Sequence, residues 1–165
     1  MAESTLAVIQ LVDFTTRVAR RVKDSLSSTR EVPEYLREIN IHLPLFIATL
    51  EQTGNDIEKG LYSEQVSEKL KKLVDECTAD IYKIEEILAQ VTPNEADSKG
   101  RRLRRAMLGV KFGRDVRGIS SRLLQTIDSL ILIQRAAVVK TLNEIRIGQR
   151  NSGVPLSFQH ENSGG

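Results

Sequence analysis

Tryptophan is absent from these 165 residues, and there is a single cysteine, Cys77, with only two histidines, His42 and His160. A lone cysteine excludes an intramolecular disulfide and suits a reducing compartment. One thiol and two distant imidazoles also make no tetrahedral zinc set, so Cys77 reads as a small buried apolar residue. Strand signals are missing and aromatic residues make up 4% of the chain, which leaves sheet architectures without support. The longest apolar stretches fall well short of the ~20 residues that a membrane-spanning helix needs. The first apolar run, from Leu6 to Val12, has neither the basic flank nor the small-residue cleavage site of a signal peptide. A soluble protein of the cytoplasm is expected. A chain of this length buries about 70% of its unfolded surface, enough for one domain with its own core.

What the chain does have is helical spacing almost throughout. A first helix is predicted from Ser4 to Leu26, with Leu6, Ile9, Val12, Val18 and Val22 on or near one face. A second begins near Pro33, whose locked ring suits a first turn, with Glu31 and Glu34 at the positive end of the helix dipole. Its apolar positions Leu36, Ile39, Leu43, Ile47 and Leu50 continue across Pro44, where a kink is expected. Ser63 caps a third helix, in which Val66, Leu70, Leu73, Cys77, Ile81, Ile84, Leu88 and Val91 advance by threes and fours until Thr92 and Pro93. A short basic helix follows from Ser98 to Val110. After a break at Gly109 and Gly113, a long helix runs to Ile147 with Val116, Ile119, Leu123, Ile127, Leu130, Ile131, Ala137, Val138, Leu142 and Ile145 in its stripe. From Gly148 no period survives. The expected architecture is all-α: a helical bundle of four to five helices over residues 1–147, and a flexible C-terminal tail over 148–165.

Charge is unevenly distributed. Between Lys99 and Arg122 stand nine basic residues and one acid, whereas residues 31–97 hold fifteen acids and six bases. The sharpest cluster is Lys99, Arg101, Arg102, Arg104 and Arg105, and three readings compete for it. It packs on the acidic helices or is simply solvated; it meets anionic lipid or a protein partner, at about 1 kcal/mol per basic side chain near a membrane surface; or it neutralises nucleic-acid phosphates. The last is the weakest, because no aromatics are interleaved for stacking and no zinc or helix-turn-helix signature surrounds the cluster.

Enzyme chemistry finds no foothold. The segment Gly109-Val-Lys-Phe-Gly113 lacks the spacing and the Lys-Ser/Thr ending of a phosphate-binding loop. His160 sits in the polar tail and His42 beside a proline, so no nucleophile-base-acid set is credible. No catalytic residue, cofactor site or metal site is expected.

Against this background a resemblance stands out. Val32-Pro33-Glu34-Tyr35-Leu36-Arg37-Glu38-Ile39, followed by Leu43-Pro44-Leu45 and Leu50, resembles the signature of the fungal SesA-type domain found N-terminal to NACHT and NB-ARC NTPases. Leu73 and Cys77, then Ile84, Ile87 and Leu88 before Pro93, then Asp97-Ser98 and the basic segment with Met107-Leu108, agree with it. The similarity spans roughly residues 5–135, and Val32, Pro33, Leu36, Leu43, Pro44 and Leu45 are its structural motif.

The resemblance implies an effector or signalling domain of an NLR-like receptor, working in programmed cell death or heterokaryon incompatibility. It is similar in position to the HeLo and HeLo-like domains. It implies oligomerisation of the domain with itself on activation, an NTPase module in cis or a receptor in trans, and a move to the plasma membrane. Leu6, Ile9, Leu11, Val12 and Phe14 are then the candidates for membrane insertion or oligomerisation, although Gln10 and Asp13 interrupt their run. Lys99, Arg101, Arg102, Arg104 and Arg105 are the candidates for anionic lipid or a partner. The alternative is a non-lytic adaptor that docks a partner through its charged faces. Gly153-Val-Pro-Leu-Ser-Phe158 resembles the lead-in to a nucleotide-binding module, and residues 145–153 read as a linker or as a short amyloid-type motif.

Overall fold

The computed structural model describes residues 2–28, 33–91 and 99–152, with side chains over 3–27, 33–91 and 109–152. Four helices occupy nearly all of this: α1 (Ala2–Ser28), α2 (Glu34–Glu58), α3 (Glu64–Val91) and α4 (Lys99–Asn151). The fold class expected from the spacing is the one observed, and among the described residues there is no strand.

Cross-helix contacts fix the arrangement. Glu3 reaches Lys71, Phe14 stacks obliquely on Tyr82, and Arg21 pairs with Glu85, so α1 and α3 run parallel. Cys77 faces Thr126, Asp80 faces Arg122 and Lys83 faces Asp115, so α3 and α4 are antiparallel. Tyr35 lies on Gly113, His42 on Ser120 and Thr53 on Gln134, which makes α2 and α4 parallel. Each of α1 and α4 packs against both α2 and α3, giving a square bundle around one core. Phe46, Leu11, Ile39, Leu43, Leu50, Ile81, Ile84, Leu88, Ile119 and Leu123 are fully enclosed.

Two local features differ from the sequence expectation, each for a physical reason. The core face of α1 is Val8, Leu11, Phe14, Val18 and Val22; Leu6 and Ile9 point outward. The stripe is masked in the sequence by Thr15. That residue sits in the core because its hydroxyl donates to its own helix, at the Leu11 carbonyl 2.7 Å away. Second, Gly109 and Gly113 break nothing, and α4 is one continuous helix. A Cβ on Gly113 would stand 3.1 Å from the Tyr35 ring, so the glycine lets α2 and α4 approach closely. As expected, α2 continues through Pro44, which is exposed.

The α2–α3 connection is short and held by backbone hydrogen bonds at its start. Leu61 N–H reaches back to the Asp56 carbonyl and Gly60 N–H to that of Ile57, with Gly60 at φ +68°, the left-handed turn that ends a helix. The Asp56 carboxylate, buried, accepts from Tyr62 Oη at 2.9 Å and Gln52 Nε2 at 2.8 Å. Burial and this carboxylate together raise the Tyr62 phenol well above its ordinary pKa. Ser63 caps α3 as expected, accepting weakly from Val66 N–H at 3.4 Å.

Candidate interaction surfaces

The α1 residues put forward as candidates for membrane insertion or oligomerisation are split by the fold. Leu11 and Phe14 are core, Val12 is half-buried, and Leu6 and Ile9 are 55% and 45% exposed. The Phe14 ring has further company: Tyr82 at 4.4 Å between centroids and the Arg17 guanidinium 5.6 Å from its centre. Of the family motif, Leu36 and Leu43 are enclosed, Pro33 precedes α2 as its half-buried N-cap residue, and Pro44 and Leu45 are exposed. Leu45 is therefore not a core residue. Val32 lies outside the described residues.

Lys99, Arg101, Arg102, Arg104 and Arg105 form the first turns of α4; their side chains lie outside the described set. Further along the same helix, charge complementarity with α3 is realised directly. Arg122 makes a two-pronged contact to Asp80, with Nε to Oδ2 at 2.9 Å, and Lys83 stands 3.7 Å from Asp115. The Asp80 bond holds the Arg122 guanidinium above its ordinary pKa. Part of the basic surplus of α4 thus packs against the acidic α3.

His42, Ser120 and Glu38 come together between α2 and α4, which the sequence did not reveal because 78 residues separate the first two. His42 Nδ1 lies 2.5 Å from Ser120 Oγ, and Ser120 donates to Glu38 at 3.5 Å. A catalytic triad places the imidazole between serine and acid. Here the serine is in the middle and is 1% exposed, so the set is a polar clasp between helices. A second clasp follows one end lower, where Gln134 Nε2 donates to the Thr49 carbonyl at 3.2 Å and to Thr53 Oγ1 at 3.0 Å. Among the described residues no group of His, Cys, Asp and Glu is placed to hold a metal ion. Burial pushes the Cys77 thiol up to about 11, against a weaker opposing bond to Thr126.

The surface that sequence periodicity concealed is the far end of α4. The bundle ends at Ala137, the last buried residue, yet the helix continues to Asn151, about 20 Å further at the helical rise. Val138, Val139, Leu142, Ile145 and Ile147 project from this extension and are 53% to 60% exposed. They look like more of the core stripe in sequence, but among the described residues no neighbouring helix covers them.

The bundle itself coincides with a known unit. The family model of SesA, described as an N-terminal domain on NACHT and P-loop NTPases, matches residues 6–130. This chain belongs to the SesA family. Neither a curated protein nor a solved structure matches it. The SesA match takes in most of α1, all of α2 and α3, and α4 as far as Leu130. Among the described residues no helix is long and apolar enough to cross a membrane.

Proposed function

We propose that this SesA domain is the non-enzymatic output module of an NLR-like NTPase receptor in programmed cell death or heterokaryon incompatibility, and that it works as a folded docking unit. Receptor assembly would cluster copies of the domain, and the clustered surface would recruit the next copy or partner. The carrying observation is the placement of apolar surface. Of the five α1 side chains proposed for membrane insertion, Leu11 and Phe14 are core, Val12 is half-buried, and Leu6 and Ile9 are exposed, whereas Val138, Val139, Leu142, Ile145 and Ile147 are all exposed on the α4 extension.

Magnitudes favour docking over release of α1. Freeing that helix would expose Val8, Leu11, Phe14, Val18 and Val22. At about 1.5–3 kcal/mol per side chain this costs on the order of 10 kcal/mol, comparable to the roughly 5–15 kcal/mol that holds a domain folded. Displacing α1 therefore amounts to unfolding the bundle. Docking through α4 needs no such step.

The test is induced clustering in fungal cells of the full chain fused to a ligand-dimerised tag, read as loss of viability. Death on clustering, with unclustered protein harmless, is expected. Stable, clustered protein without effect would overturn the reading. A parallel arm measures dye release from anionic vesicles by the purified chain. Intact vesicles are expected; release that Leu6→Asp and Ile9→Asp abolish would place the output at the membrane instead. Those two positions are exposed, so the variants keep the fold.

A further inference from the structure

The α4 extension is both apolar and basic. From Ile131 to Asn151 it carries Arg135, Lys140, Arg146 and Arg150 against one acid, Glu144. Val138, Leu142 and Ile145, spaced by four and three, lie along one side of it, the spacing by which an amphipathic helix lays its apolar face in a groove.

A groove of opposite sign exists on the same molecule, between α1 and α2. It encloses about 330 Å³. Its apolar lining is Val8, Ile9 and Val12, and Gly54 lets the two helices approach closely there, an ideal Cβ on it standing 3.4 Å from Val8 Cγ1. Its charged lining is wholly acidic: Asp13, Glu51 and Glu58. Among the described residues none of these three carboxylates has a cation partner. The lining residue Ile9 is 45% exposed, an apolar side chain that the domain's own helices do not cover.

We infer that the α4 extension of one copy docks in the α1–α2 groove of a second copy, with Val138, Leu142 and Ile145 on the apolar lining and its basic residues against Glu51 and Glu58. This rests on the reading of the domain as a self-assembling signalling unit, and it names the surface. A copy does not fill its own groove, because α4 continues as one unbroken helix past the bundle and does not fold back. Pairing two extensions with each other sets like net charge against like, whereas the groove offers the opposite sign. The contact uses different surfaces on the two copies, so each docked copy keeps one free extension and one free groove. Such a head-to-tail contact propagates into a ring or a filament and does not stop at a dimer.

Two variants, both at exposed positions, separate the surfaces: a groove variant, Glu51→Lys with Glu58→Lys, and an extension variant, Val138→Ser with Leu142→Ser and Ile145→Ser. Sedimentation equilibrium of the full chain, with helicity checked by circular dichroism, gives the readout. Wild type assembles beyond a dimer as concentration rises, and added salt weakens the assembly. Each variant alone associates at least tenfold more weakly. An equimolar mixture of the two forms a 1:1 dimer and nothing larger, since it contains one intact groove and one intact extension. A groove variant that assembles like wild type, a mixture that stays monomeric, or a wild type monomeric at every concentration overturns the inference. These outcomes are independent of the clustering assay. Assembly that ignores both surfaces removes this interface and leaves the proposed function standing, whereas complementation without death on clustering removes the function and leaves the interface.

Discussion

Leu11→Ala and Leu6→Ala are the same chemical change five residues apart on one helix, and the fold assigns them opposite consequences. Leu11 is 2% exposed in the core, and Leu6 is 55% exposed. Truncating an enclosed leucine removes its transfer free energy and leaves a cavity that closes only partly, a loss of about 2–5 kcal/mol. Leu11 lines a groove together with Phe14 and Val74, so a value of about 3 kcal/mol, in the lower part of that span, is expected. For a domain of this size that lowers the melting temperature by roughly 6–12 °C. Leu6→Ala should stay within about 0.5 kcal/mol of wild type, as surface changes generally do. Urea titrations followed by far-ultraviolet circular dichroism measure both, and equal slopes confirm that the midpoints report stability. The reasoning fails if the two variants lose equal stability, or if Leu6→Ala loses more. Either result would mean that α1 presents the Leu6–Ile9 face to the core, and the case against α1 release would fall with it.

Three further outcomes follow from the packing and the charges. Gly113→Val forces branched carbons into the Tyr35 ring, already 3.1 Å from an ideal Cβ, and should cost about 1–3 kcal/mol by thermal melting, whereas the same change at Gly148, with open space around it, should cost little. Cys77 should resist alkylation in the folded protein at neutral pH. Its thiol is raised from 9.0 to about 11 in the fold, so the folded state holds the proton longer; stability is full below pH 9 and declines as pH rises from 9 to 11, and Cys77→Ala should flatten that decline in alkaline urea titrations. Arg122→Met should cost less than about 1 kcal/mol because the guanidinium side is 55% exposed, and the difference from wild type should shrink in high salt.

Much of the bundle was legible because the signal is local. Cys77, Ile81, Ile84 and Leu88 recur by threes and fours, and burial of that stripe depends only on helix geometry. The resemblance carried by Val32 to Ile39 and Leu43 to Leu45 pointed to the same family that the match over residues 6–130 establishes. The candidate surfaces were read less well, since they depend on what lies beside a residue. Leu11 and Phe14 shared the sequence character of Leu6 and Ile9, and only the packing of α2 and α3 against α1 separates them.

The sequence by itself determined the helical class, the start and cap of α3, the apolar stripes and the separation of charge between the acidic middle and the basic segment. Those properties reside in side-chain period and composition along one chain. Tertiary structure decided where each stripe ends being core. Gly113 is a contact point because Tyr35 arrives from a helix 78 residues away, not because glycine stops a helix. Val138, Leu142 and Ile145 continue the stripe of Ile119, Leu123 and Leu130 without a change in pattern, yet they are exposed. Nothing in their own spacing records that α2 and α3 have already ended. Burial is a property of neighbours, and the neighbours of α4 run out at Ala137.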